Sequence, residues 1–353
     1  MSYRGRSGCC AGVDQIASTV PNVTGCRVPV TLKINDVVSN STSMAISQAG
    51  TKTCSDPGGP SASDLQRFST NGASIARIVL TRTSFLAITD PSPIFLSSDL
   101  GTATFFKYSA AQLNTARNPF NITPVGSCSV NSLGTTDAST LQTFPQFFPN
   151  DPIAPISLNA GASITVTAAG VPKMLRYRNI TNSLAYYYDG LFDFGQLPGF
   201  LEPGTVTISG PGGRDVGAFQ FTVDVPAILK WTNLDSVLTV NRAAGQLVTW
   251  TGGDPAGTVK ISGFSSVSIV PGGTQATGAE FTCTAKTSGG QFMIPPSVLL
   301  SLPVNSSNSN TNSFGYGRLQ VGTNTALKSF TASGVDFATA FATLDAERLV
   351  DYK

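Results

Sequence analysis

Tyr186, Tyr187 and Tyr188 run directly into Asp189, and Asp193 and Glu202 follow closely behind. This is the densest grouping of reactive side chains in the sequence, and two chemistries fit it. Two carboxyl groups facing each other across a cleft can hydrolyse a glycoside. Asp189, Asp193 and Glu202 supply the best acid pair available, because glutamate occurs elsewhere only at Glu280 and Glu347. Alternatively, aromatic rings exposed on a β-surface stack on sugars, since their faces are flat and apolar with a polar rim. Tyr186, Tyr187, Tyr188, Asp189 and Phe192 then form a candidate ligand surface, with Phe194 and Phe200 beside them. A plainer reading is preferred to both. Acidic residues at a strand end are solvated, and Tyr186 and Tyr188 point into a core while Tyr187 points out.

The remaining chemistry is thin. The 353 residues include no histidine, which removes the commonest general base and metal ligand. No Ser-x-x-Lys pair or Gly-x-Ser-x-Gly elbow supplies a nucleophile without it. No Gly-x4-Gly-Lys-Ser/Thr loop occurs, and Gly210 to Gly217 lacks the lysine, so that stretch reads as a hairpin turn. Asp189-Gly190-Leu191-Phe192-Asp193 is too sparse for calcium. No catalytic residue, cofactor or metal is expected. A net charge of +2 without a basic run gives no footprint for nucleic acid. No apolar stretch reaches the ~20 residues that span a bilayer, so no membrane insertion is expected.

Six cysteines are present, four of them among the first 54 residues. Cys9, Cys10, Cys26 and Cys54 are the disulfide candidates. Neighbouring Cys9 and Cys10 would be strained as a pair. Either can bond Cys26 or Cys54, and spacing does not choose between them. The CxxC pairs of a zinc site are absent. Cys128 alternates with Val130, and Cys283 with Phe281 and Ala285, so both are expected as buried thiols and not as a long-range bridge.

The elements that must carry these residues are strands. Val28, Val30, Leu32 and Ile34 share one face, and Pro29 marks an edge strand. The same alternation places Ile164 with Val166, Val206 with Ile208, Phe219 with Phe221, Val223 and Val225, and Val259 with Ile261. Trp231 and Trp250 read as core. Turn signals such as Gly210-Pro211-Gly212-Gly213 and Gly252-Gly253-Asp254-Pro255 punctuate the runs, as in sandwiches and barrels. Helix is scarce: a turn or two from Ser63 as cap, Ser109 to Ala116, and a weak candidate at Ala346 to Tyr352. Composition divides the chain into a Cys-rich partial β segment (1–54), a linker (55–63), a β-sandwich domain (64–226) and a C-terminal β-sandwich domain (227–353). The second domain contains a Pro- and Phe-rich excursion around Phe144 to Pro149. Val304 to Ser313 reads as a flexible solvated loop.

Several of these stretches resemble a known family. Gly8-Cys9-Cys10-Ala11-Gly12-Val13, Thr24-Gly25-Cys26-Arg27-Val28 and Cys54-Ser55-Asp56-Pro57 look like the end of the uncharacterised C-terminal domain of acidobacterial (Solibacter-type) secreted proteins. Leu201-Glu202-Pro203-Gly204, Gly213-Arg214-Asp215-Val216 and Val248-Thr249-Trp250-Thr251-Gly252 resemble what such proteins carry downstream. The resemblance implies an exported all-β chain of antiparallel, Ig-like sandwich domains in tandem, and it implies no activity. In that family the Cys-Cys motif falls late in a longer domain, whereas here it nearly follows Met1. The expectation is therefore a mature or truncated chain whose partial first domain packs on the second, is an artificial truncation, or is completed by a neighbour's strand. The function expected is that of a secreted, non-enzymatic structural or adhesive protein at the cell surface, self-associating into a filament or surface layer or binding another extracellular protein. A carbohydrate-binding module with a glycan partner is the alternative, and an Asp/Glu glycoside hydrolase is a third.

Overall fold

Alternating apolar residues become strands whose buried sides line one face of a large sheet. The computed structural model describes residues 3–8, 14–20, 22, 24–30, 32–34, 37–38, 42–51, 59–87, 94–113, 123–137, 155–179, 186–195, 198–268, 275–305 and 317–353. The class is all-β, as expected. The main-path strands, numbered in chain order, are β1 Ala73–Ala87, β2 Ile94–Tyr108, β3 Ser127–Asp137, β4 Ser163–Ala168, β5 Val171–Asn179 and β6 Tyr186–Gly195. They continue as β7 Gly204–Gly210, β8 Phe219–Val225, β9 Thr258–Ser268, β10 Gln275–Lys286, β11 Gly317–Asn324 and β12 Phe337–Leu349. Their spatial order is β8-β7-β4-β5-β6-β2-β1-β12-β11-β9-β10-β3. Neighbours run antiparallel except β1 and β12, which pair in parallel from Ile75 opposite Phe337 to Phe85 opposite Glu347. That junction carries the sheet across the compositional boundary at 226.

Burial explains the strand faces. Ile164, Val166, Val206, Ile208, Val259 and Ile261 are all inaccessible, while Ser163, Thr165 and Thr207 between them are only half covered. The sheet curls at its β8 end, so that Phe219 and Phe221 meet Phe330 at centroid distances of 5.2 and 4.2 Å. This closes a first core around Ile78, Leu80 and Phe105. A second core forms where a small sheet of Leu229–Trp231, Gln246–Gly252 and Gln291–Ile294 covers β9, β10 and β11. Trp231 and Trp250 sit opposite each other there, buried as expected. Each indole N–H has a partner: Trp231 Nε1 donates to Asn233 Oδ1 and Trp250 Nε1 to the Thr287 carbonyl, both at 2.8 Å. Such pairing is what makes a buried indole tolerable. The turn expected at Gly210 to Gly217 is observed, joining β7 and β8 as a hairpin.

Several expectations need correction. Helix α1, Ala62–Asn71, starts two residues earlier than a Ser63 cap would place it. Ser61 Oγ accepts from the Asp64 N–H at 3.1 Å and Asp64 Oδ2 accepts from the Ser61 N–H, a capping box that Ser63 cannot form. The helix start therefore overlaps the 55–63 linker. Ala346 to Leu349 continues β12, held by pairing with β11 and β1, and Asp351–Tyr352 is a short strand of its own. Val30 and Leu32 are exposed: among the described residues the strand ending at Val30 pairs only with Thr42–Ile46, and Leu32 lies between strands. Asn305 is not loop-like: it is buried, donating to the Val350 carbonyl and accepting from the Tyr352 N–H. Cys128 and Cys283 are a disulfide and not two thiols, because β3 brings Cys128 alongside β10. Cys9, Cys10, Cys54, the side chain of Cys26 and the Phe144 to Pro149 excursion lie outside the described residues.

Candidate functional site

β6 carries most of the predicted cluster. Asp189 stands opposite Thr102 of β2 and Arg176 of β5. Past the register shift between Leu191 and Asp193, Asp193 is exposed and its Oδ1 accepts from the Phe194 N–H. Phe192 is turned inward, its ring 4.9 Å from that of Phe200, so it offers no exposed face. Tyr186, Tyr187 and Tyr188 lie in β6, with side chains outside the described residues. Glu202 belongs to a different constellation.

That constellation is a clamp. Arg82 of β1 and Asp99 of β2 are cross-strand neighbours on the core side of the sheet. Arg82 Nε and Nη2 donate to Asp99 Oδ1 and Oδ2 at 2.8 and 2.9 Å, a bidentate pair in which both side chains are almost fully buried. Arg82 Nη1 donates to Glu202 Oε1 at 2.8 Å. The loop between β6 and β7 closes over the pair: Leu201 N–H donates to Asp99 Oδ2 at 2.7 Å and Gly199 N–H to Glu202 Oε1 at 2.8 Å. A side chain at Gly199 would sit 2.6 Å from Asp99 Oδ2 and 2.7 Å from Arg82 Nη2, so only glycine lets the backbone approach this closely. Both bonds meet on Oε1, so Glu202 ties the loop to Arg82.

The second polar grouping crosses the opposite face of the sheet. Asp345 of β12 faces Gly322 of β11, which in turn faces Lys260 of β9. The missing side chain at Gly322 makes room for the carboxyl group. Beside it, Gln320 Nε2 donates to Glu347 Oε2 at 2.6 Å, Ser262 Oγ to Gln320 Oε1 at 3.3 Å, and Arg318 Nη1 lies 3.9 Å from Glu347 Oε2. Asp345 is only 8% exposed, and no hydrogen bond among the described residues reaches its carboxyl group. Burial, helped by Glu347, pushes its pKa up to about 6 against the pull of Lys260 and Arg318. A buried carboxyl with a raised pKa has the character of a proton-holding group.

Raising the folded pKa above the unfolded one means that the native state keeps a proton the unfolded chain has lost. Stability therefore falls as pH rises from about 4 to about 6 and stays lower above that. The Asp345→Asn variant is expected to lose this slope and to be more stable than the parent at pH 7.5 by about 2–3 kcal/mol, at 1.36 kcal/mol per pKa unit. Urea unfolding at pH 4, 5, 6 and 7.5 checks it; parallel curves for the two proteins would mean that Asp345 does not titrate in this window.

Parity could have found these residues. Arg82 shares its side of β1 with Ile78 and Leu80, and Asp99 occupies a core position in β2, so each is a charge where the pattern calls for an apolar residue. Glu347 falls within the helical reading of Ala346 to Tyr352, and Asp345 lies just before it. Among the described residues, no three His, Cys, Asp or Glu side chains are placed to hold a metal ion. No family model matches the chain, and no curated protein is significantly similar to it.

Proposed function

We propose that the chain is a secreted, non-enzymatic structural or adhesive β-protein that self-assembles through its sheet. The observation that carries this reading is the open end of the sheet. β8 terminates the strand order, and among the described residues no strand lies beyond it. An edge of this kind is a template for a strand from another copy. The ionic groups described above support the reading because they hold elements together: Arg82 clamps a loop, and Arg67 joins Asp64 of α1 to Asp336 beside β12. The disulfide is consistent with an oxidising, extracellular setting. Among the described residues no helix is long and apolar enough to cross a membrane. The likeness to acidobacterial secreted proteins with Ig-like domains points the same way.

Sedimentation velocity over a hundredfold range of concentration tests the proposal, with negative-stain images of the most concentrated sample. Mass should grow with concentration and the images should show filaments or sheets. A single monomeric boundary throughout, with dispersed particles, would remove self-assembly.

A further inference from the structure

The outer face of β4, β7 and β8 carries a regular set of hydroxyl and amide groups that the structural role does not use. Thr165, Ser209 and Gln220 stand side by side on the three strands, and Thr167, Thr207 and Thr222 form the next row. Strands lie about 4.8 Å apart and alternate residues about 6.8 Å apart along each strand, so the groups form a grid. Burial of Val166, Val206, Ile208 and Val223 between them fixes the grid outward. Thr205, at its margin, donates to Asp224 Oδ1 at 2.7 Å. Among the described residues no hydrogen bond engages the side chains of the six grid residues. Next to the first row a shallow depression of about 500 Å³ opens, lined by Ser163, Thr165, Ser209 and Gln220 with Pro211 as apolar wall. No residue lining it is charged. Arg176 borders the grid on β5 and has Asp189 opposite it on β6.

We propose that this face binds a neutral polysaccharide, one chain lying along the grid with a sugar ring in the depression. Each hydroxyl can both donate and accept, and the Gln220 amide does both at once, which matches the hydroxyls of a sugar. The proline wall suits the apolar face of a pyranose ring. A charged glycan would find no counter-charge in the depression. A second copy docking here would gain little, because the grid offers scant apolar area to exclude from water. Repeated rows also favour a polymer over a single sugar, since each bound unit raises the local concentration of the next. The inference goes beyond self-assembly and does not depend on it, as a strictly monomeric chain can carry the same face.

The test is an array of neutral β-linked glucan and mannan oligosaccharides, printed beside sulfated and uronic-acid oligosaccharides and probed with the full chain. Retention on a neutral series is expected. The double variant Ser209→Ala/Gln220→Ala should weaken it at least tenfold, and the near-isosteric Thr207→Val/Thr222→Val should do so without changing the melting temperature. Tyr187→Ala should leave binding unchanged. Three results would overturn the proposal: retention on no neutral glycan, retention on acidic glycans only, or a loss that follows Tyr187→Ala and not the grid variants.

Discussion

Arg82→Met is expected to lower the free energy of unfolding by about 3–5 kcal/mol, the cost of leaving a buried carboxylate without its partner. Methionine keeps most of the aliphatic volume, so packing alone does not account for a loss of that size. What is lost is the bidentate pair with Asp99, in which both side chains are removed from water. Among the described residues, Asp99 would keep the Leu201 N–H as its one remaining donor. Glu202, partly exposed, can turn to solvent and costs less. Combining Arg82→Met with Asp99→Asn should restore part of the loss: the charge disappears and the amide oxygen can still accept from Leu201. The coupling read from this double-mutant cycle isolates the ion pair from the loop it anchors. Urea unfolding at pH 7 with an unchanged m-value is the measurement. A loss below about 1 kcal/mol for Arg82→Met would mean that the loop holds its place without the clamp.

The clamp also shows why the site differed from its sequence reading. Alternation within each strand was legible, and Ile164, Val166, Val206, Ile208, Trp231 and Trp250 fall where it puts them. Pairing between distant strands was not legible, because period two says which face a residue takes but not which strand lies beside it. Glu202 stood in the sequence near Asp193, but its partner Arg82 is 120 residues away. Glu347 lies in a segment, Ala346 to Tyr352, whose short run of Ala, Glu, Arg and Leu has helical propensity, and sheet pairing with β11 and β1 overrides it. The parallel β1–β12 junction joins two stretches that composition separates, and composition carries no information about partners. The hydroxyl grid is illegible in sequence for the same reason: alternation belongs to one strand at a time, and only the register of β4, β7 and β8 makes it a grid.

The same limit hid the disulfide, whose removal should have the second large effect. Cys128 and Cys283 close a loop with a sequence separation of 155. In the chain-entropy view a loop of that length restricts the unfolded chain by about 5 kcal/mol, and measured losses for native bonds are about 2–5 kcal/mol. Cys128→Ala/Cys283→Ala is the informative variant. Serine at 283 would place a hydroxyl in the second core, where Cys283 is fully buried opposite Ile261, and would add a desolvation cost of its own. Either single alanine variant also breaks the bond, so singles and double should lose nearly the same amount; a double that loses the sum of the two would indicate packing and not cross-linking. The loss should be local at first. β3 ends the sheet, and the bond fastens it beside β10, where the Gly126 N–H already donates to the Thr284 carbonyl at 2.6 Å. Without the bond, hydrogen exchange should quicken most in β3 and the adjoining part of β10, while β1, β2 and β12 lose only what the lower global stability takes from them, because an end strand opens without disturbing the parallel junction. Unchanged exchange in β3, with a loss below about 1 kcal/mol, would mean that backbone pairing alone secures that end of the sheet.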